Sequence, residues 1–254
     1  MIKNFIIKFL LILNRYDFFN KLFSIFKQIE KYEKIIFKNK SIYFLNTNKT
    51  TNYRIKTFFS KEPETLQWIN SFNNGDVFWD IGANVGLYSI YSQFVNKKIE
   101  TIAFEPSVLN LEILVKNINK NNLQNKISII TNPIYDKTTI ENFNLSTLEN
   151  GGANSNFGVP HSTRNTVLSY RSNSLNFENL FDFYKIKYPD HVKIDVDGNE
   201  LPILKSLCKS NNHFKSILLE FNENNEELKN ILEENKFKNV FNSNTRNNQI
   251  WERS

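Results

Sequence analysis

The fold is decided by the stretch Val77-Phe78-Trp79-Asp80-Ile81-Gly82-Ala83-Asn84-Val85-Gly86. Its first half is an apolar run with one acid near its end, which is typical of a buried parallel strand. The glycines that follow predict a tight turn, because glycine lets the backbone bend sharply and approach a ligand closely. The stretch therefore predicts a strand, a turn and a helix, with the turn at the carboxyl edge of a sheet where ligands bind.

The same alternation of strand and helix continues on the C-terminal side of this stretch. Apolar runs predict further strands at 101–104, 127–130, 192–195 and 216–221, and a closing pair at 238–241 and 249–251. Helical spacing of apolar residues predicts helices at 87–95, 109–118, 177–184, 201–207 and 226–234. This pattern predicts an α/β protein with three layers, α/β/α, around a seven-stranded and mainly parallel sheet.

The first quarter of the chain has a different pattern, so we expect two parts. Residues 1–61 are predicted to form a basic helix followed by a small β cap, with strands at 35–37, 42–45 and 53–55. Residues 62–254 are predicted to form the α/β domain, beginning with a helix at Pro63. Residues from about 138 to 176 break the alternation, and we interpret them as an insertion on the ligand side.

The positive charge of the chain is concentrated in the same N-terminal part. Residues 1–61 contain 13 Lys/Arg and 3 Asp/Glu, whereas the net charge of the whole chain is only +6. The run from Ile2 to Leu13 is too short to span a bilayer, which takes about 20 apolar residues. Its helical apolar stripe favours docking on the protein body, with peripheral contact of residues 1–30 with an anionic membrane as the alternative.

The composition excludes several classes of protein. Only 7 Gly, 6 Pro and 1 Cys occur among 254 residues, so collagen-like, low-complexity and disulfide-stapled proteins are excluded. The lone Cys208 favours a reducing compartment, and we expect a cytoplasmic protein, with the inner membrane face as its peripheral site. No basic groove with interleaved aromatic residues occurs in the α/β part, so we expect no nucleic-acid partner.

The predicted turn carries a pattern of acids and glycines suited to an adenosyl ligand. The pattern is Asp80-x-Gly82-x-x-x-Gly86, and Glu105 closes the next predicted strand. A carboxylate at that second position can accept hydrogen bonds from both ribose hydroxyls. An acid at the head of the turn would repel a pyrophosphate but attract a sulfonium cofactor with a free amino group. The pattern therefore favours S-adenosylmethionine over a nicotinamide dinucleotide.

Three stretches together resemble the FkbM-type methyltransferases that use S-adenosylmethionine. They are Phe78 to Ser89, Ala103-Phe104-Glu105-Pro106-Ser107, and Lys193-Ile194-Asp195-Val196-Asp197-Gly198-Asn199-Glu200. The resemblance extends from about Arg54 to the C-terminus and implies a Rossmann-like class I methyltransferase fold. It does not cover residues 1–50. In the third stretch, the family often has Glu where this chain has Asp197.

The resemblance implies roles for particular residues of this chain. It places Glu105 on the ribose and Ser107 beside the adenosine. It assigns the cofactor site as a whole to Asp80, Gly82, Ala83, Asn84, Gly86, Glu105, Pro106 and Ser107. At the end of the third strand, Thr131-Asn132-Pro133 departs from the small residue and apolar pair that the family usually has.

A second group of acids is predicted to carry the chemistry. Asp195 and Asp197 point to the same side if both are in strand geometry. There they can orient or deprotonate an acceptor hydroxyl, or hold a divalent cation that does so. We therefore take Asp195 as the main catalytic candidate, with Asp197 and Glu200 in support and Glu220 as a further candidate. Glu200 can equally be a helix-capping residue, because acids are favoured in a first helical turn.

The function that we predict is methyl transfer to an oxygen, with a small molecule or glycan as acceptor. A hydroxyl of a sugar in a surface glycan or its precursor suits the basic N-terminal part. One alternative takes Asp195-Val196-Asp197 as the metal-binding acids of a nucleotide-sugar glycosyltransferase. Another is a non-catalytic protein that binds a nucleotide or glycan.

Overall fold

The computed structural model describes residues 2–15, 17, 20–22, 24, 30–160, 165–209, 214–220, 225–243 and 248–254. The helices are α1 (Ile2–Arg15), α2 (Lys49–Lys56), α3 (Phe58–Lys61), α4 (Pro63–Asn70), α5 (Leu87–Val95), α6 (Val108–Lys120), α7 (Phe177–Tyr184), α8 (Glu200–Lys209) and α9 (Glu226–Glu234). The strands are β1 (Tyr32–Phe37), β2 (Lys40–Leu45), β3 (Val77–Ile81), β4 (Glu100–Phe104), β5 (Ile127–Ile130), β6 (Ile140–Leu145), β7 (Asn156–Phe157), β8 (Leu168–Asn173), β9 (His191–Ile194), β10 (Ser216–Glu220), β11 (Phe237–Asn242) and β12 (Asn248–Arg253).

The centre of the molecule is a seven-stranded sheet in the order β11-β12-β10-β9-β3-β4-β5. Strands β10, β9, β3, β4 and β5 are parallel to one another, whereas β12 runs antiparallel to both β10 and β11. After β3, the chain adds β4 and then β5 on one side of β3. It later adds β9 and then β10 on the other side. The order of the strands therefore reverses between β3 and β9, and such a switch point is where open α/β sheets bind ligands.

Side chains of β3 show how this sheet becomes the middle of three layers. Val77, Trp79 and Ile81 belong to a buried cluster on one face, while Phe78 belongs to a separate cluster on the other. This division follows from the two-residue period of a strand. Both faces are covered by helices, since the first cluster includes Leu204 of α8 and the second includes Ile90 of α5. The predicted three-layer α/β fold is confirmed.

The N-terminal part contains two of its three predicted strands. β1 and β2 form an antiparallel hairpin. Two backbone N–H groups of β2 donate to side chains at the end of α6: Leu45 N to Asn117 Oδ1 (2.7 Å), and Tyr43 N to Oδ1 of the C-cap residue Asn121 (2.9 Å). The predicted strand at 53–55 is wrong, because these residues belong to α2. A capping box starts that helix, in which Asn48 and Thr51 each bond the other's backbone N–H.

The first helix, α1, is exposed along its described side chains. Every side chain from Lys3 to Ile12 is exposed, with Phe5 at 73% and Leu11 at 63%. The expectation that its apolar stripe docks on the protein body is therefore wrong for these residues. Residues 18–29, which the sequence also predicts as helical, lie largely outside the described residues. Among the described helices, none is long and apolar enough to cross a membrane.

The region predicted as an insertion forms a small sheet of its own. β6 pairs with both β7 and β8 in antiparallel orientation, in the order β7-β6-β8. Phe143 and Phe157 are buried where this sheet meets the carboxyl edge of the large sheet. The sheet therefore covers the edge at which the predicted site residues lie.

Candidate functional site

A pocket opens at the switch point, between the carboxyl ends of the parallel strands and the inserted sheet. We call it the larger pocket; its walls include Glu105 after β4, Asn132 after β5, Asp195 after β9 and Phe157 of β7. The empty space, counted out to the open mouth, is about 590 Å³, within the range for small-molecule sites. The topology alone therefore brings the ends of β3, β4, β5 and β9 to one ligand-sized space.

The turn after β3 explains the need for glycine. Gly82 has a φ of +82°, and a Cβ atom there would lie 1.9 Å from the carbonyl oxygen of Asp195. The N–H groups of Gly82 and Ala83 both donate to the carbonyl oxygen of Phe104, each at 3.0 Å. Any side chain at position 82 would thus collide with the end of β9. The close approach of β9 to this turn fixes Asp195 beside the pocket.

Glu105 lies at the end of β4 with its carboxylate in the pocket wall. One oxygen accepts a hydrogen bond from Asn84 N at 2.7 Å, and the other accepts one from Ser107 N at 2.8 Å. Burial raises the pKa of Glu105 to about 7, although these two N–H donors oppose the shift. A carboxylate has about four acceptor positions. The side chain of Asn110 also interacts with this carboxylate, so at least one acceptor position remains for a ligand hydroxyl.

The other predicted cofactor residues divide into lining and supporting positions. Gly82, Asn84 and Pro106 line the larger pocket together with Glu105. Gly86, with a φ of +85°, is the N-cap of α5, where a Cβ atom would lie 2.4 Å from Leu114. Gly86 therefore shapes the start of the helix and does not line the larger pocket.

Asp80 lies behind the turn and does not line the larger pocket. Its side chain is fully buried, and Ser89 Oγ donates to its Oδ2 at 2.5 Å. Burial raises its pKa, while the charge of Lys193 acts in the opposite direction. Its Oδ1 has no hydrogen-bond partner among the described residues. Asp80 therefore supports the turn from behind through its hydrogen bond with Ser89.

Asp195 forms a buried ion pair with a lysine that precedes it by two residues. Lys193 Nζ lies 2.8 Å from Asp195 Oδ2, and the lysine side chain is only 2% exposed. Burial opposes ionisation of both groups, but Lys193 lowers the pKa of Asp195, and Asp195 and Asp80 raise the pKa of Lys193. Lys193 also lies over the ring of Tyr88, 5.0 Å from its centre. Asp195 is therefore ionised and held in place at neutral pH.

Asp197 and Glu200 are not arranged as the sequence pattern suggested. β9 ends at Ile194, and Asp197 has a φ of +56°, so Asp195 and Asp197 do not share a strand geometry. Asp197 Oδ2 accepts a hydrogen bond from Asn154 N at 2.5 Å. Both carboxylate oxygens of Glu200 lie 3.0 Å from Gly198 N, and burial raises the pKa of Glu200. Asp197 thus holds the inserted region, and Glu200 closes the turn that precedes α8.

Contacts from the inserted region reveal site residues that the sequence analysis missed. Asn110 of α6 accepts from Gly151 N at 2.9 Å and donates to Gly152 O at 3.2 Å. Asn84 Nδ2 donates to the same carbonyl oxygen at 2.9 Å. Gly151 and Gly152 lie within the region predicted only as an insertion, and nothing in the sequence pattern of α6 marks Asn110. The fold alone reveals that this loop is fastened to the predicted turn.

A second, smaller pocket lies on the other side of the turn, beneath α2 and α3. It shares Gly82, Asn84 and Asp195 with the larger pocket, and Arg54 and Lys61 line its outer wall. Ala83 also lines it, together with Tyr88 and Lys193. Ser107, by contrast, lines neither pocket, and its backbone N–H donates to the carboxylate of Glu105.

Two further candidates from the sequence are a divalent cation and the carboxylate of Glu220. No group of three or more His, Cys, Asp or Glu side chains within the described ranges is arranged to hold a metal ion. A divalent cation at Asp195 and Asp197 thus stays a prediction. Glu220 ends β10, next to β9, and desolvation and the charge of Asp195 raise its pKa.

Comparison with known proteins gives one family match and several distant structural likenesses. The Methyltransferase FkbM domain matches residues 80–242. The magnesium protoporphyrin IX methyltransferase of Synechocystis PCC 6803 with bound SAM is 13% identical, with 82% of this chain and 86% of that one covered and a TM-score of 0.49. A putative tRNA (m1A22) methyltransferase of Streptococcus pneumoniae in complex with S-adenosyl-L-methionine is 16% identical, with coverages of 75% and 72% and a TM-score of 0.45. No curated protein matches significantly.

The family match decides between the functions left open by the sequence. It covers both Asp195 and Asp197, so the glycosyltransferase interpretation of these acids is not supported. The structural likenesses are too distant to bear on substrate. The matched residues extend from Asp80 to the end of β11, which is more than half of the chain. The chain therefore belongs to the FkbM methyltransferase family, as its sequence predicted.

Proposed function

We propose that the chain transfers the methyl group of S-adenosylmethionine to an oxygen atom of an acceptor. The observation that carries the proposal is Glu105, a buried carboxylate beside a glycine turn that keeps acceptor capacity for a ligand hydroxyl. A ribose offers two adjacent hydroxyls of this kind. The cofactor supplies an activated methyl group, and the protein has to position the acceptor oxygen in line with it.

In this proposal, the adenosine part occupies the larger pocket. Pro106 and the segment Asn132-Pro133 line the pocket on either side of Glu105, so a planar base has apolar and amide surfaces to contact. Phe157 of the inserted sheet lines the same pocket. Glu105 itself is buried, and hydrogen bonds to a charged group are stronger where water has little access.

Asp195 is proposed to orient the acceptor hydroxyl. Its ion pair with Lys193 keeps it ionised, so that it can accept a hydrogen bond from an O–H group at neutral pH. The same ion pair makes it a weak proton acceptor. Glu220 has a raised pKa and lies at the end of the neighbouring strand, so it is the better candidate to take the proton.

The acceptor that we favour is a sugar hydroxyl in a glycan or its precursor. An uncharged hydroxyl has to be oriented and has to lose its proton. In this proposal, Asp195 provides the first carboxylate and Glu220 the second. Exposed Phe5 and Leu11 on α1, with the lysines of residues 1–30, suit contact with an anionic membrane that carries such precursors. The membrane contact is thus part of the proposal.

Methyl transfer is tested with tritiated S-adenosylmethionine and a panel of sugar glycosides and nucleotide sugars. We expect label on a sugar oxygen, identified by mass spectrometry. Asp195→Asn should lower kcat at least about 100-fold with an unchanged Kd for S-adenosylhomocysteine. The exposed Asp182 provides a matched control, since Asp182→Asn should keep wild-type turnover. Wild-type turnover in Asp195→Asn, or label on nitrogen, would contradict the proposal.

The membrane contact is tested by flotation with vesicles of phosphatidylcholine alone or with added phosphatidylserine. We expect the full chain to float only with the anionic vesicles. The double variant Phe5→Asp, Leu11→Asp should remain unbound, because it places charges on the exposed apolar surface. Binding that is equal in wild type and variant would contradict this part of the proposal.

A further inference from the structure

The inserted region reaches the larger pocket through one short segment, residues 149–157, which we call the strap. Gly152, Ser155 and Phe157 of the strap line that pocket. Side chains from several other elements hold the strap to the rest of the protein. They include Arg54 with Gly151 O (2.7 Å), Asp197 with Asn154 N (2.5 Å) and Asn199 with Phe157 N (3.0 Å). A segment fastened by individual side chains is of the kind that opens locally while the sheet stays intact.

Asn110 of α6 is the fastening residue that also contacts Glu105. The side chain is buried, with 4% of the residue exposed. Its Oδ1 accepts from Gly151 N at 2.9 Å, and its Nδ2 donates to Gly152 O at 3.2 Å. The same side chain interacts with the Glu105 carboxylate and lowers the pKa of that group. Since an asparagine amide has two N–H donors, one can serve the strap and the other the carboxylate.

A ligand at Glu105 therefore acts on the Asn110 amide. The pKa of Glu105 is about 7, so its carboxyl group is partly protonated at neutral pH before a ligand binds. Ligand hydroxyls that donate to the charged form favour ionisation. An ionised carboxylate is in turn the stronger acceptor for the Asn110 N–H. Binding at Glu105 thus strengthens the contact that orients the Asn110 amide toward the strap.

We propose that Asn110 is a positioning residue that links occupancy of the Glu105 site to closure of the strap, so that a ribose ligand at Glu105 holds the strap against the pocket. This inference rests on the proposed use of S-adenosylmethionine. The closed strap contacts Asp197, two positions after the catalytic candidate Asp195. The acceptor side of the site is then completed after the cofactor has bound, and we expect the cofactor to bind before the acceptor.

The link is tested by hydrogen exchange of the full chain at pH 7, with and without saturating S-adenosylhomocysteine. The quantity measured is the ratio of the two exchange rates for the strap amides. In the wild type, the ligand should slow exchange at least about fivefold, the lower end of coupling between two sites. In Asn110→Ala the ratio should fall below about twofold. A strap that is merely looser cancels in this ratio, because each variant is compared with itself.

A second variant, Asn110→Asp, keeps the size of the side chain and the acceptor for Gly151 N. It has no N–H group for Glu105 or Gly152 O, so the ligand-dependent protection should be lost here as well.

Asn117 supplies the matched control, since it is a buried asparagine of the same helix. Its amide also bridges two backbone groups, accepting from Leu45 N at 2.7 Å and donating to Val85 O at 2.8 Å. Asn117→Ala should cost stability in the same way, yet it should keep the wild-type ratio for the strap amides.

The pH dependence of ligand affinity gives a readout that a purely structural role would not move. Because Asn110 lowers the pKa of Glu105, Asn110→Ala should shift the midpoint of the profile for S-adenosylhomocysteine to higher pH. The charge of Asp80, which raises the pKa of Glu105, is the same in both proteins. Asn117→Ala should leave the midpoint unchanged.

Two outcomes would overturn the inference. An equal protection ratio in wild type and Asn110→Ala would limit Asn110 to structural support of the strap. Unprotected strap amides in a wild-type protein that binds S-adenosylhomocysteine would show that the strap closes independently of the ligand. By contrast, a folded wild-type protein that does not bind S-adenosylhomocysteine would contradict the proposed function itself.

Discussion

Glu105 should make both stability and ligand affinity depend on pH near neutrality. Burial raises its pKa from 4.5 to about 7 in the folded protein, so the folded state binds this proton more tightly than the unfolded state. Its contribution to stability is therefore complete below pH 4.5 and is lost as the pH rises through 7. The shift corresponds to about 3 kcal/mol of unfolding free energy, at about 1.4 kcal/mol for each pKa unit.

The measurement compares wild type with Glu105→Gln by urea unfolding between pH 4 and 8. As the pH rises from 4 to 8, the unfolding free energy of the wild type should fall by about 3 kcal/mol relative to that of Glu105→Gln. Glutamine has a single acceptor oxygen and cannot replace both hydrogen bonds from Asn84 N and Ser107 N. The resulting loss of unfolding free energy is independent of pH. Titration of other groups cancels in the difference. A difference that stays constant within about 0.5 kcal/mol would refute the assigned burial effect.

The same ionisation should govern ligand binding, because ribose hydroxyls donate to the charged carboxylate. With a pKa of about 7 for Glu105, the ionised fraction rises about tenfold between pH 6 and pH 8. The affinity for S-adenosylhomocysteine should rise by the same factor in the wild type and should stay flat in Glu105→Gln. A flat profile in the wild type would exclude Glu105 as the ribose acceptor.

Two further substitutions test the close packing around the turn. Gly82→Ala places a Cβ atom 1.9 Å from Asp195 O, so it should cost at least about 3 kcal/mol by urea unfolding, whereas Gly75→Ala, with φ +91° and no atom within 4 Å, should cost only about 1 kcal/mol of backbone strain. Equal costs would contradict the close approach. Lys193→Met leaves Asp195 and Asp80 without their buried cation and should cost about 3–5 kcal/mol at pH 7. A stability equal to that of wild type would show that the ion pair contributes no net stabilisation.

Much of the α/β body could be predicted because its signals are local. The apolar run at Val77–Ile81 identifies a strand whatever surrounds it, and helix α9 was predicted with its observed bounds, Glu226–Glu234. The predicted strand at 53–55 failed because Tyr53 and Ile55 also suit a helix. The capping box between Asn48 and Thr51, which decides for the helix, lies outside that short window.

Site residues could be predicted only where they lie within one short sequence motif. Glu105 and Gly82 belong to such a motif and lie in the larger pocket. The strand geometry considered for Asp195 and Asp197 together is absent, because Asp197 has a left-handed backbone and accepts a hydrogen bond from Asn154 N of the inserted region. Arg54 and Gly151, which are in contact, are separated by 97 positions in the sequence, and no local pattern links residues so far apart.

The central claim is most directly tested by calorimetric titration of the purified full chain with S-adenosylhomocysteine. We expect binding in the micromolar range, weakened at least about tenfold in Glu105→Ala, which removes the carboxylate from the ribose position. The exposed Glu178 provides the control, because Glu178→Ala should bind as the wild type does. Absence of binding by the folded wild-type protein, or equal binding by Glu105→Ala, would contradict the account.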